Sequence, residues 1–153
     1  MKLVLQRVTQ ASVSVGGAQV SAIGHGFLAL VGVQVGDTPE DAAYLARKTA
    51  GLRVFSDLAG KMNLSLADVN GEVLAVSQFT LLADTRGGRR PSFSRAAQPQ
   101  DARRLYAAYV RCLTVEGVSV SEGVFQADMQ VNLTNDGPVT IIIDSVERFA
   151  PNR

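Results

Sequence analysis

The stretch Asn135-Asp136-Gly137-Pro138-Val139-Thr140 separates two runs of strand character, and its reading decides how the end of the chain is folded. Before it, Met129–Thr134 alternates, with Met129, Val131 and Leu133 on one face and Gln130, Asn132 and Thr134 on the other. After it, Val139–Val146 carries Ile141, Ile142 and Ile143 in a row, the pattern of a strand buried on both faces. Asp-Gly between two such runs predicts a β-hairpin, because glycine reaches φ > 0 at no steric cost. Two readings of Gly137-Pro138 stand at this point. One is an ordinary turn. The other is a Gly-Pro unit locked in cis, which displays its carbonyls with no glycine side chain to obstruct them.

Working backward, the runs Glu72–Leu82, Gly26–Val33, Ala18–Ile23, Ala11–Val15 and Lys2–Thr9 also read as strands, with Gly16-Gly17 as a hairpin turn. Shorter strands are expected at Leu52–Ser56, Leu64–Leu66, Val118–Val120 and Gly123–Phe125. Two helices interrupt them. Thr38 and Pro39 open the first, which shows Ala42, Leu45, Ala46 and Thr49 on one face and stops near Gly51. Pro99 opens the second, which runs to about Leu113. The predicted class is α+β, a curved mixed or antiparallel, barrel-like sheet with two main helices in a single domain spanning residues 1–153.

Composition narrows the function classes. Of 153 residues 46% are hydrophobic and 19% charged, a globular profile. No apolar run approaches the roughly 20 residues needed to span a bilayer, so no membrane partner is expected and the location expected is cytoplasmic. A single Cys excludes an internal disulfide, and one Cys with one His cannot supply a zinc set of those ligand types. No cofactor or metal is expected. Neither a G-x-S-x-G elbow nor a phosphate-loop or dinucleotide fingerprint is present.

The chemistry-bearing candidates are few. Val73–Val76 is apolar throughout, and Ser77, Gln78 and Thr80 then bring polar groups to the end of a buried strand. They either satisfy the strand end or mark a ligand site where the Phe79 and Thr80 main-chain N–H groups are free to bind an oxyanion. Thr80 is a possible nucleophile in type, but no base accompanies it in the sequence. Arg7 shares a face with Leu3 and Leu5. It sits at an exposed strand end by default, or else its guanidinium is buried against carbonyls that it fixes. Between Arg86 and Arg104 stand six arginines and one acid, Asp101, which is either a solvated face or a grip for a phosphate backbone.

Two of these stretches together, Ser77-Gln78-Phe79-Thr80-Leu81 and Asn135-Asp136-Gly137-Pro138-Val139-Thr140, resemble the paired signature of the D-aminoacyl-tRNA deacylases. The resemblance continues through Leu52-Arg53-Val54-Phe55, Gly60-Lys61-Met62-Asn63, Arg90-Pro91-Ser92-Phe93 and Leu105-Tyr106, and covers nearly the whole chain. The chain departs from the family pattern at Gln126, where a glycine is usual after Phe125, and at Gly88, in a loop position commonly basic. The resemblance implies a homodimeric hydrolase that cleaves the ester of D-aminoacyl-tRNA and also clears glycine from tRNA for alanine. Its partner is then the aminoacylated 3′ end of tRNA, with no DNA expected. Ser77, Gln78, Phe79 and Thr80 would carry the reaction through main-chain groups and the RNA 2′-OH. Gly137, Pro138, Asn135, Met129, Phe125 and Arg7 would contact substrate, with a cis Gly137-Pro138 reaching the partner subunit's pocket to reject L-amino acids. The competing readings are a non-catalytic tRNA-binding module and a hydrolase with Thr80 as nucleophile.

Overall fold

The computed structural model describes residues 1–150. Its organising strand is β1, Lys2–Val15, whose two edges are both occupied along most of its length. On one side lie β2 (Ala18–Ile23) and β3 (Gly26–Gly32), antiparallel to its second and first halves respectively. On the other runs β8, Gln130–Asp144, also antiparallel. The expected break at Gln10, between Lys2–Thr9 and Ala11–Val15, does not occur. The turn at Gly16-Gly17 does, with Val15 facing Ala18 across it.

The predicted C-terminal hairpin is absent. Both halves of β8 pair with β1 in one direction, Gln130–Thr134 against Ser14–Gln10 and Thr140–Asp144 against Gln6–Lys2. Residues Asn135–Thr140 are a large bulge in a single strand, and Asp136–Val139 has no partner on β1. A turn dipeptide between two strand-like runs fits a hairpin equally well by local criteria. The long unbroken edge of β1 decides between them, since it satisfies both runs without a reversal. The expectation of burial on both faces also fails: Val139 and Ile143 are buried, whereas Ile142 is 70% exposed.

Beyond β3 the sheet becomes parallel, through β6 (Glu72–Ser77) to β7 (Ser119–Glu122). It is mixed and nearly closed into a barrel, with β2 curling toward β6 and β7. A separate two-stranded ladder joins β4 (Phe55–Ser56), only the end of the expected Leu52–Ser56, to β5 (Met62–Leu64), which lies two residues before the expected Leu64–Leu66. Gly123–Phe125 is not a strand.

Two helices, α1 (Pro39–Gly51) and α2 (Pro99–Val115), pack on each other and cover one face of the sheet. At the start of α1 the Asp41 carboxylate accepts from the Thr38 N–H at 2.8 Å and from its hydroxyl at 2.9 Å. Leu3, Leu5, Phe27, Ala29, Val73 and Ala75 face Leu45, Leu105 and Tyr109. The opposite face gathers Val8, Val13, Leu28, Leu74 and Val76 into a second cluster that Met129 and Val131 close. The sheet is thus buried on both sides where β6 ends, which is where a polar run must find partners or open a site.

Candidate functional site

Strand β6 stops at Ser77, and Phe79–Leu82 turns at once into a short 3₁₀ helix, so the expected strand to Leu82 is five residues too long. The departure is anchored by the Gln78 N–H, which donates to the Val31 carbonyl at 2.8 Å. Gly32 lets the turn lie against β3: a Cβ there would stand 3.1 Å from Leu81 Cβ and 3.2 Å from the Gln78 carbonyl. Leu81 N–H returns to Gln78 O at 3.2 Å. Among the described residues the Phe79 and Thr80 N–H groups have no such acceptor, as expected of the first donors of a helical turn.

The strand end opens into a cavity of about 620 Å³. Ser77, Gln78 and Phe79 form one wall, Phe93, Ala96–Pro99 and Ala102 another, and Phe125–Met129 with Val131 the third. The structure therefore brings five of the expected site residues together: Ser77, Gln78, Phe79, Phe125 and Met129. Thr80 lies just outside the lining and receives a hydrogen bond from the Gln78 side-chain amide. Phe79 is 55% exposed at the mouth and meets Phe93 edge-on, ring centroids 5.0 Å apart.

The third wall is tied to β6 through one atom. The Ala75 carbonyl accepts from the Tyr106 hydroxyl at 3.0 Å and from the Gly123 N–H at 2.9 Å. Burial, first of all, raises the Tyr106 phenol far above its ordinary value, so it remains a neutral donor. Gly123 has a steric reason: a Cβ would stand 2.7 Å from Met129 Sδ, the sulfur that accepts from the Val124 N–H at 3.3 Å. Gln126 adopts φ +66°, a left-handed conformation that explains why glycine suits the position after Phe125. Sequence reasoning missed Phe93, Ala96, Ala97 and Gln98 as lining residues. No local pattern marks them, because a loop wall is defined by what it faces.

Arg7, Asn135, Gly137 and Pro138 form a second assembly, and none of them lines the cavity of their own chain. The default exposed Arg7 is corrected: it is 7% exposed, and its buried guanidinium holds carbonyls. Nη1 donates to Val54 O at 2.6 Å and Nε to Asp136 O at 2.9 Å, with the Asp136 carboxylate 3.3 Å from Nε. Asn135 closes the bulge as a staple, its Nδ2 donating to Val139 O at 3.1 Å and its Oδ1 accepting from Val139 N–H at 2.7 Å. Between these clamps the Gly137–Pro138 peptide is cis, and both residues are exposed. Gly137 sits at φ +141°, and a Cβ would meet Val139 Cγ2 at 2.7 Å and Arg7 Nη2 at 3.2 Å.

The chain as a whole matches a known family. The model of the family described as D-Tyr-tRNA(Tyr) deacylase aligns with residues 4–144. The chain belongs to that family. It is 55% identical to the D-aminoacyl-tRNA deacylase of Geobacter sulfurreducens over 97% of each chain. It is 57% identical to the D-aminoacyl-tRNA deacylase of Dehalococcoides mccartyi over 99% of each. Among solved structures, a protein titled c-Myc DNA Unwinding Element Binding Protein superposes with TM-score 0.88 at 42% identity, covering 94% of this chain and 98% of that one. A probable eukaryotic D-amino acid tRNA deacylase superposes with TM-score 0.81 at 16% identity, covering 93% and 97%, which is a likeness of fold. No helix of the described residues is long and apolar enough to cross a membrane.

Proposed function

We propose that the protein is a cytoplasmic D-aminoacyl-tRNA deacylase that hydrolyses the ester between a D-amino acid and the 3′-terminal adenosine of tRNA. The cavity takes the adenosine and the aminoacyl group, and the free Phe79 and Thr80 N–H groups stabilise the oxyanion as water, giving up a proton with help from the RNA 2′-OH, attacks the ester carbonyl and the 3′-oxygen leaves as the tRNA hydroxyl. One such donor contributes about 3–4 kcal/mol in comparable sites. An aminoacyl ester, whose ribose 3′-oxygen is a better leaving group than an amine, then needs no side-chain nucleophile. Consistent with this, the one His in the chain is remote in role: His25 packs edge-on against Phe55, with ring centroids 5.0 Å apart.

The observation that carries the reading is a mismatch within one chain. The cavity lacks Gly137 and Pro138 in its lining, while those residues protrude, doubly clamped, with no cavity of their own chain to fill. A homodimer in which each bulge enters the other subunit's cavity removes the mismatch. Carbonyls crowding one side of Cα would then collide with the Cβ of an L-residue and leave the D-enantiomer room. Glycine has no Cβ, so the same filter admits it, and glycyl-tRNA for alanine is a second substrate.

The decisive assay compares hydrolysis of matched D- and L-aminoacyl-tRNA, with glycyl-tRNA alongside. The D and glycyl esters should be cleaved and the L ester spared. Equal D and L rates would sink the filter, and release of no amino acid from any of them would sink the enzyme.

A further inference from the structure

The segment from Arg86 to Arg104 holds six arginines, and the structure divides them into two groups. Arg86 is spent on Asp84, with Nη2 2.6 Å from Oδ2 and Nε 3.0 Å from Oδ1. Arg104 faces Asp101 one helical turn away at 3.6 Å. Among the described residues, Arg89, Arg90, Arg95 and Arg103 have no carboxylate within ion-pair distance. All four are exposed.

None of the four lines the cavity itself, but each lies within four residues of one that does, and Arg103 stacks on the wall residue Phe125. Arg95 precedes Ala96 and Arg103 follows Ala102, and both alanines line the wall. Asp84 and Ser92 exchange both main-chain hydrogen bonds, at 2.8 and 2.9 Å, so residues 85–91 form a closed turn that carries Arg89 and Arg90 just ahead of Phe93. Arg103 is held in place, its guanidinium carbon 4.6 Å from the centre of the Phe125 ring, another wall residue. The whole chain has a net charge of only +1, so this concentration of unpaired cations is local to the mouth.

We propose that Arg89, Arg90, Arg95 and Arg103 form a phosphate track that receives the RNA backbone next to the 3′-terminal adenosine. The inference rests on the tRNA reading above and assigns the part of the substrate that the cavity does not hold. Guanidinium groups without a carboxylate partner are available for bidentate bonds to phosphate, and each phosphate they neutralise releases condensed counterions. The two paired arginines are excluded from the track, because recruiting them would first break an existing ion pair.

The test is the salt dependence of binding to uncharged tRNA, which is independent of hydrolysis. Converting Arg89, Arg90 and Arg95 together to Gln should flatten the slope of log K against log salt by about 0.7–0.9 per arginine removed. Converting Arg86 and Arg104 together to Gln should leave that slope unchanged. On D-aminoacyl-tRNA the triple variant should show a KM at least tenfold higher with kcat preserved. On 3′-D-aminoacyl-adenosine, which has no phosphate, its kinetics should match the parent.

An unchanged slope in the triple variant, or an equal loss in the paired-arginine variant, overturns the track. So does an equal loss on the phosphate-free ester, which would mean that the arginines support the cavity itself. A DNA duplex bound as tightly as tRNA, and lost to the same extent in the variant, overturns the assignment to tRNA. Failure of the parent to hydrolyse any aminoacyl ester would instead overturn the proposed activity and leave the binding result standing on its own.

Discussion

The end of β6 and the bulge of β8 both break a strand with a short polar motif, yet they solve opposite problems. At Ser77–Thr80 the backbone leaves the ladder and presents donors to a concave wall shared with two other loops. At Asn135–Thr140 the chain spends five steps where β1 spends two, from Gln6 to Val8, and the excess is pushed outward. The first motif is soft at its rim, with Phe79 half-exposed and Thr80 held by one side-chain amide. The second is clamped from both sides by Arg7 and Asn135. A receptor tolerates adjustable walls because the ligand fills it. If the bulge acts as the proposed filter, it must not yield, and the buried Arg7 guanidinium would serve that end.

Changing Gly137 is the largest perturbation of this contrast, because it alters the protrusion without touching the cavity. Gly137→Ala places a Cβ against Val139 and Arg7 at a φ of +141° that alanine rarely adopts. The carbonyls must shift. Displacements of about 1 Å in positioning groups cost on the order of 100-fold in rate. D-aminoacyl-tRNA hydrolysis should fall by about that factor, with the far-ultraviolet circular dichroism spectrum retained. A variant as active and as selective as the parent would mean that the bulge is only a connection.

Arg7→Met removes the clamp instead and should be felt as stability. It leaves the Val54 and Asp136 carbonyls without their cationic donor, and removing one side of such a buried contact costs about 3 kcal/mol. Urea unfolding should show that loss. A change under about 0.5 kcal/mol would show the bulge to be rigid for other reasons.

On the cavity side, Tyr106→Phe deletes one of two donors to the Ala75 carbonyl. Because Gly123 N–H remains, the expected cost is only about 1 kcal/mol. KM should rise more than kcat falls, since the wall that α2 supports shifts while the Phe79 and Thr80 amides stay in place.

Neither motif should govern acid unfolding. One contributor is at the start of α1, where burial alone would raise the Asp41 carboxyl but the Thr38 N–H and hydroxyl, with the Ser145 hydroxyl and Arg148, overcome it and hold it below its ordinary value. A depressed carboxylate contributes stability that is complete above its unfolded pKa of about 3.9 and is lost as pH falls through the folded value. The stability of Asp41→Asn should therefore depend less steeply on pH below about 4 than that of the parent. An identical acid limb in both proteins would place the titrating group elsewhere.

How much of this was legible in the sequence follows the range of the physics involved. The alternation of β1, the Gly16-Gly17 turn, and the starts of α1 and α2 are local, and they read directly. The family resemblance rested on Ser77–Thr80 and Asn135–Thr140, and matches over nearly the full length bear it out. The bulge did not read, because Asp-Gly before Pro138 satisfies the local criteria of a hairpin and only the far edge of β1 rules it out. Arg7 remained open between two readings for a related cause. Its partners, Val54 and Asp136, lie 47 and 129 residues away. The loop wall at Ala96–Gln98 gave no local signal, since its alanines become site residues only by facing the cavity.

Thr80→Ala is the smallest perturbation and the one that separates main-chain from side-chain chemistry. A nucleophilic threonine requires a neighbouring group to take its proton, and the polar contact of the Thr80 hydroxyl is with the Gln78 amide, which is no base. In enzymes where a hydroxyl does attack, its removal costs about a million-fold. If the Thr80 N–H is what serves, it survives in alanine unchanged, and the variant should keep deacylation within about tenfold of the parent, the loss reflecting a freer Gln78. Trapping of an amino acid on the protein, or abolition of turnover in a folded T80A, would transfer the chemistry to the hydroxyl. The bulge would then remain the selective part, and the end of β6 would change from a cradle of amides into a nucleophile with its base still to be found.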